Sequence, residues 1–520
     1  MVALSLQQQA IIDWVSNGAG SLVVLARAGT GKTFTIKRVV KEIVDKRLGD
    51  CYVGAFNRAI ADEVKHDINT MGVAWKECAV NTAHGFGFGL IRKVWPGVKV
   101  DNKKMLGIID AIAEEELHET GESGAKLCAE QIAKLVSFGK QRGLGFSASA
   151  LESANRDESW WRIVDHYGID DLPDEISIPA LIAYAREALK RSAALDSTVI
   201  DFDDMVLLPI TRNLRAWPRQ WVFIDEAQDT NPARRALFSK MLKRGGRLVA
   251  VGDDRQAING FAGADADALD QIRQAFNAAT LPLTTTYRCP ARVVALAQSI
   301  VPDIVAHETA PEGTIEQWSY SSENPFWFVG ERGPRAGDAI LCRTTAPLID
   351  TAYSLIRKGI GCRVEGRDIG AGLIALVRRF KVKTIEALIN KIEAWSQREI
   401  EKWTAKNRED KAASCADRTE TLLTLCARMQ EQQKQSVAEL VAEIEYMFAD
   451  TTESNSGKIV LLSTIHKSKG REFNRVFFLN HNKCPAFWAR RAWEVDQEHN
   501  LIYVAYTRAK QELVLVATED

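Results

Sequence analysis

The stretch Ser21–Arg47, "SLVVLARAGTGKTFTIKRVVKEIVDKR", most tightly limits what this chain can fold into. Its first six residues are an apolar run bounded by a turn, which suits a short buried strand. Gly29 and Gly31 give the backbone the freedom to turn sharply. From Thr33 onward the apolar spacing becomes helical. Strand, glycine turn and helix thus follow one another directly. Six further apolar runs of similar length occur at 51–56, 220–225, 247–252, 458–464, 475–480 and 512–517. Helical patterns separate several of them, so the expected fold class is α/β with buried parallel strands. Two stretches depart from this alternation. Residues from about 100 to 195 and from about 375 to 450 read as charged helices, and are expected to be insertions in two α/β cores.

Composition narrows the class. A chain of 520 residues is too long for one ordinary core, and length alone suggests about three or four domains. No apolar run approaches the roughly 20 residues of a membrane span. The start "MVALSLQQQAIIDW" lacks the basic, apolar and small-residue order of a signal peptide. The nine cysteines are scattered without a CxxC pair, which fits a reduced cytoplasmic setting and argues against zinc or iron–sulfur sites. A net charge of −1 supplies no overall positive field, so a nucleic-acid partner would need a local basic groove.

"LARAGTGKT" (Leu25–Thr33) has the form of a phosphate loop, with Ala26 where the general pattern has glycine. The backbone of Ala28, Gly29, Thr30 and Gly31 can turn N–H groups toward phosphate oxygens at a helix N-terminus. Lys32 can reach the β- and γ-phosphates, and Thr33 can ligate Mg²⁺. In "VFIDEAQDT", Asp225 ends an apolar strand and Glu226 follows. The first carboxylate can hold Mg²⁺ and the second can activate the attacking water. The competing reading, acids at a helix start, explains one motif but not both. "IDFDDMVLLP" (200–209) also concentrates acids, which suits a carboxylate metal site or acids at a helix start; the family resemblance given below favours the structural role. "VGDDRQAINGFAGAD" (251–265) sets Asp253, Gln256 and Phe261 on one loop, which could equally be a polar turn with a buried aromatic.

Together, "DEAQD", "GDDRQAINGF", "TYRCP", "STIHKSKGREF" and "YVAYTRAK" resemble the superfamily 1 DNA helicases of the UvrD/Rep type. "AFNRAIADEVK" and "NTAHGFGFGL" lean toward the branch that includes the F-box DNA helicases. The resemblance implies two RecA-like P-loop NTPase domains. The first would comprise residues 1–90 and 196–280, with a helical insertion at 91–195. The second would comprise 281–372 and 452–520, with a short helical insertion at 373–451. It also implies ATP and Mg²⁺ as cofactors and an ATP-driven 3′-to-5′ helicase or translocase. The implied partners are single-stranded DNA and its junctions with duplex; none is a membrane. The setting would be cytoplasmic and nucleoid-associated in a bacterium, or nuclear in a eukaryote.

Carried over position by position, Gln8 matches a reader of the adenine edge, although Gln7 and Gln9 flank it. Phe34 stands where many relatives have a basic residue that stacks on adenine, and Tyr287 matches an adenine-stacking tyrosine. Gln228 and Gln256 match γ-phosphate sensors, and Arg288 and Arg508 match arginines that approach the γ-phosphate. Gly470 and Glu472 match positions near the nucleotide, with Arg471 in place of the usual leucine. Phe56, Asn57, Thr82, His84, Phe261, Arg343, Thr464 and His466 match contacts along single-stranded DNA. Asn259 and Ala262 replace an aromatic and a basic residue of many relatives. The alternatives are a translocase that strips proteins from DNA with little unwinding and, more remotely, a P-loop switch or kinase.

Overall fold

The computed structural model describes residues 4–169, 172–173, 175–194, 198–258, 267–321, 332–358, 360–365, 367–406, 409–448 and 459–519. The chain divides into two compact units, Met1–Ala26 with Gly31–Leu283, and Arg27–Thr30 with Thr284–Asp520. That is fewer than length alone suggests, because the long helical stretches add to these units instead of forming further ones.

The first unit is built on a six-stranded parallel sheet. Its order is Ala279–Leu283, Leu22–Ala26, Leu242–Gly252, Arg219–Ile224, Cys51–Ala55 and Cys78–Thr82. The four inner strands are the four apolar runs of the N-terminal half. They are buried on both faces, as continuous Val, Ile and Leu runs require. The second unit has its own parallel sheet, ordered Thr314–Tyr320, Ala509–Thr518, Phe473–Leu479, Ala339–Cys342, Val460–Thr464 and Cys362–Val364. Five strands of the two sheets have no counterpart among the seven apolar runs, and four of those five are sheet edges. An edge strand such as "CAVNT" or "TIEQWSY" is half exposed, so its sequence lacks an unbroken apolar signal.

The two helical stretches pack differently. In the first unit, Lys104–Thr120, Ala129–Arg142, Asp157–Tyr167 and Ile178–Ser192 enclose a core of their own around Ile132, Leu135, Trp160, Leu181 and Leu189. In the second, Ile385–Ala405, Glu409–Glu431 and Val437–Met447 bury Leu388, Leu422, Leu425 and Ile444 in the same cluster as the sheet residues Val460, Leu462 and Phe477. Among the described residues, no helix is long and apolar enough to cross a membrane.

The acidic "IDFDDM" segment lies where the first helical stretch meets the sheet unit. Asp204, 1% exposed, accepts from Lys104 Nζ at 2.6 Å and from Lys140 Nζ at 2.7 Å, and Lys140 also pairs with Asp201. Asp203 accepts from the Ser137 hydroxyl. Every acid of the segment is engaged by protein groups, which supports the structural reading. The two lysines carried no sequence signal, since lysine on a helix is ordinarily a solvated surface residue.

Candidate nucleotide site and nucleic-acid edge

A parallel sheet places the carboxyl ends of all its strands at one edge. In the first unit this makes a row. The end of Leu22–Ala26 stands beside Gly252, which leads into Asp253; next come Asp225, then Phe56–Asn57, then Thr82–His84. Candidate ATP chemistry occupies one part of the edge and candidate DNA contacts the other.

The phosphate loop has the turn its glycines permit. Gly29 and Gly31 take left-handed backbone, with φ of 72° and 81°, a region that side chains bearing Cβ disfavour. Ala28 and Thr30 are buried, and the Thr30 hydroxyl donates to the Arg27 carbonyl at 2.8 Å. The helix Lys32–Asp45 then begins directly from Gly31. Of the three N-terminal glutamines only Gln8 is buried. A Cβ on Gly31 would stand 3.3 Å from Gln8 Nε2, so the Gln8 carboxamide lies against the loop. Its Oε1 accepts from Ser5 N at 3.0 Å, which fixes the side chain's orientation. Phe34 turns its ring toward the Arg38 guanidinium, 5.2 Å away.

Glu226 adopts left-handed backbone, φ 51°, at a cost of about 1–2 kcal/mol for a residue with a Cβ. In a continuing strand, Asp225 and Glu226 would point to opposite faces. The turn instead brings both onto the start of the lysine helix. Thr33 Oγ1 donates to Asp225 Oδ2 at 2.9 Å, and Lys32 Nζ donates to Glu226 Oε2 at 2.9 Å. Gln228 Nε2 also donates to Glu226 Oε2 at 2.6 Å, while Gln228 Oε1 accepts from Asp253 N at 3.0 Å. Gln256 Nε2 donates to Asp253 Oδ2 at 2.6 Å. A continuous hydrogen-bonded path therefore runs from Lys32 through Glu226 and Gln228 to the backbone of the Asp253–Gln256 turn.

Burial pushes the Asp225 carboxyl up to about 6, and neighbouring Glu226 adds to the rise. Burial alone would lower the Lys32 ammonium, but Glu226, Asp253 and Asp225 outweigh it and hold the group above its ordinary value. The result is a charged lysine beside a carboxylate short of positive charge. Thr33 and Asp225 present two hard oxygens within hydrogen-bond distance, a donor set that fits Mg²⁺ whose remaining ligands are phosphate and water. Among the described residues, no group of three His, Cys, Asp or Glu side chains forms a self-sufficient metal site.

Gly252 is needed for the path to close. A Cβ there would stand 2.5 Å from Gln228 Oε1 and 3.1 Å from Gln228 N. Gly252→Ala is expected to displace Gln228, lower ATP turnover and cost about 1–3 kcal/mol of stability through overpacking. Urea unfolding and steady-state hydrolysis check this; wild-type values in both would show that Gln228 is not held there.

Further along the edge, Phe56 is 39% exposed at the end of its strand. The Asn57 and Thr82 side chains cap helices, accepting from Ile60 N and Gly85 N respectively. The His84 ring lies 4.7 Å from that of Phe202. Burial, then the charge of Arg234, pushes His84 down to about 4, so it is neutral near pH 7. A cavity of about 20 Å³ is lined by Phe56, His84, Asp225, Glu226, Asp229 and Arg234, and so by both the candidate carboxylates and the candidate DNA residues. Phe261, with Asn259 and Ala262, lies outside the described residues.

In the second unit the candidates divide between the two edges of the sheet. Arg343 follows Ala339–Cys342, and Thr464 ends the adjacent strand with His466 just beyond; both are at the carboxyl edge. Thr464 is buried. Arg343 Nε and Nη2 donate to Glu498 at 2.9 and 2.8 Å. Burial, followed by the charges of Arg343 and Lys469, pushes His466 down to about 3. Glu472 and Arg508 precede the strands Phe473–Leu479 and Ala509–Thr518, at the amino edge. Arg288 Nε donates to Glu472 Oε2 at 2.6 Å. Arg508 Nε donates to the Val504 carbonyl and Nη1 to the Arg471 carbonyl, each at 3.0 Å. Tyr287 is 45% exposed, its ring 4.7 Å from that of His307. Ile465–Glu472, with Gly470 at φ 86°, connects the carboxyl end of one strand to the amino end of another. This one segment therefore reaches both groups of candidates.

Residues 5–277 match the UvrD/REP helicase N-terminal domain family, and residues 374–520 match the UvrD-like helicase C-terminal domain family. The chain is 24% identical to the ATP-dependent DNA helicase UvrD2 of Mycobacterium tuberculosis over an alignment covering 95% of this chain and 76% of that protein. It is 21% identical to the ATP-dependent DNA helicase PcrA of Bacillus subtilis, covering 95% and 80%. With the ATP-dependent DNA helicase Rep of Escherichia coli the identity is 27%, covering 56% and 42%. A family match over more than half its length, joined to a phosphate loop and paired carboxylates on a parallel-sheet edge, places the chain in the UvrD/REP family of ATP-dependent DNA helicases.

Proposed function

We propose that the chain is a Mg²⁺- and ATP-dependent motor that moves 3′-to-5′ along single-stranded DNA and opens duplex at single–double-strand junctions. The observation that carries this reading is the shared edge of the first sheet, where Asp225 and Glu226, hydrogen-bonded to Thr33 and Lys32, lie one strand away from Phe56 and two from His84. Gln8 would read the adenine edge, and Tyr287 would supply an adenine-stacking ring. The Ala28–Gly31 backbone and Lys32 would hold phosphate. Thr33 and Asp225 would hold Mg²⁺, which supplies charge neutralisation at the phosphates. Glu226 would take the proton of the attacking water, and Gln228 and Gln256 would sense the γ-phosphate. Arg288 and Arg508 would supply positive charge to the transferring phosphoryl group, with Glu472 aligning Arg288 and Gly470 allowing close approach. Phe56, Asn57, Thr82, His84, Phe261, Arg343, Thr464 and His466 would follow the DNA. Residues 91–195 and 373–451 would be insertions in two RecA-like domains.

ATP hydrolysis is expected to rise at least tenfold when an oligothymidylate is added, with unwinding of 3′-tailed but not 5′-tailed duplex. Hydrolysis indifferent to DNA would end the motor reading, and unwinding of 5′-tailed duplex alone would reverse the polarity. Among the described residues, the second helical stretch shares its core with the sheet and forms no separately packed body to grip duplex. This favours protein stripping as the second reading, and stimulation without unwinding would select it.

A further inference from the structure

We propose that Asp417, on the second helical stretch, is a positioning residue for nucleic-acid binding, its carboxylate fixing the turn that follows Arg343. The proposal rests on the motor reading above, in which Arg343 meets the DNA. The strand Ala339–Cys342 ends just before Arg343, and only Thr344 and Thr345 separate that arginine from the helix Ala346–Arg357. The first backbone N–H groups of a helix lack partners within it. Asp417 supplies one from 72 residues further along the chain. Its Oδ1 accepts from Thr345 N at 3.0 Å and from Ala346 N at 2.9 Å, and its Oδ2 accepts from Thr345 N at 3.2 Å. The turn between Arg343 and its helix is thus held by a side chain of the helix Glu409–Glu431.

The helix Glu409–Glu431 is itself anchored beside the turn. Arg428 pairs with Asp350 of Ala346–Arg357, Glu409 pairs with Arg490, and Leu422 and Leu425 are buried in the core shared with the sheet. The Arg343 side chain is held by Glu498, 5% exposed, which accepts from Nε and Nη2. Among the described residues, Arg343 Nη1 has no hydrogen-bond partner. One carboxylate therefore aims the guanidinium and another fixes the backbone beside it, leaving a nitrogen that can donate to a phosphate oxygen. Stability does not account for Asp417. Burial raises its carboxyl above the ordinary value, and the N–H groups of Ala346 and Thr345, then the charge of Arg343, offset this only in part. Keeping the carboxylate ionised near pH 7 therefore costs the folded state some stability. A neutral serine or asparagine would cap the helix without that cost. What the carboxylate adds is charge-assisted hydrogen bonds from two successive N–H groups, which fix the direction of the turn.

The test uses the full chain, an oligothymidylate of about 20 nucleotides, and the variants Asp417→Asn, Arg343→Ala and the two combined. Charge alone would make Asp417→Asn bind more tightly, because a negative charge leaves the DNA edge. Positioning predicts the reverse sign: affinity falls roughly 3- to 30-fold, as for residues that share one hydrogen-bond network. The plot of log affinity against log salt should become shallower by about 0.7, the share of one phosphate contact on a single strand. The combined variant should bind within about twofold of Arg343→Ala alone, because both changes remove one contact. The urea midpoint of Asp417→Asn should not fall, which a purely structural role would require. Unchanged or tighter binding by Asp417→Asn, or losses that add in the combined variant, would overturn the proposal. If Asp417→Asn does lower the urea midpoint, Asp417→Ser decides, because its hydroxyl still accepts from one N–H without burying a charge: unchanged oligothymidylate affinity then overturns the proposal. Wild-type binding by Arg343→Ala would instead defeat the reading of Arg343 as a DNA contact, a separate result.

Discussion

Glu226→Gln is expected to lower ATP turnover about 10²- to 10⁴-fold while ATP binding remains close to wild type. The range is what a positioned general base contributes. The exchange is nearly isosteric, so Gln228 can still hydrogen-bond to position 226 and the left-handed turn is kept. Lys32 loses one of three nearby carboxylates but retains the charges of Asp225 and Asp253. The phosphate loop should therefore stay formed. Steady-state hydrolysis with saturating oligothymidylate reads the first effect, and titration with a fluorescent ATP analogue reads the second. Turnover within about twofold of wild type would remove Glu226 from the role of base. Loss of nucleotide binding would show instead that the Lys32–Glu226 pair holds the loop together.

Asp204→Asn should produce the largest loss of stability, about 3–5 kcal/mol, the range for breaking a buried ion pair from one side. Asp204 is the one carboxylate shared by Lys104 and Lys140, and those lysines come from two helices of the first helical stretch. The exchange leaves Lys104 without its carboxylate in the interior, although the Ser192 carbonyl still accepts from it. The effect should depend on pH in a defined direction. Burial opposes ionisation of Asp204, but Lys140 and Lys104 outweigh it and hold its carboxyl below the ordinary value. A depressed acid contributes stability above its unfolded pKa, near 3.9, and loses it as pH falls through the folded value. The gap between wild type and Asp204→Asn in urea unfolding should therefore be full at pH 7 and shrink below about pH 4. A gap of equal size at pH 3 would show that the charge of Asp204 is not what stabilises the junction.

How much of the site was legible in the sequence depended on whether its chemistry lies within one short segment. The phosphate loop, the Asp225–Glu226 pair and the strands that carry them are local features, and the structure places Lys32, Thr33, Asp225 and Glu226 together. Three adjacent glutamines could not be told apart by spacing; burial against Gly31 sets Gln8 apart from the other two. Lys104 and Lys140 were invisible because nothing local marks a lysine whose carboxylate lies 60 to 100 residues away. Glu498 escaped for the same reason. It sits 155 residues from the arginine it holds. The edge strands were missed because half-exposed segments carry weaker apolar patterns than central ones.

By itself the sequence determined that this protein is an α/β P-loop chain and which residue types carry the phosphate and carboxylate chemistry. Those properties are set by apolar runs, glycine freedom and charge within a few consecutive residues. Only the tertiary structure decided which distant segments become neighbours. It set the order of the strands in each sheet, and with it the row running from the phosphate loop to His84. It also divided Arg288, Glu472 and Arg508 from Arg343, Thr464 and His466 across opposite edges of one sheet. Strand order is settled by the packing of whole faces and by crossovers spanning tens of residues, and no short segment of sequence contains that information.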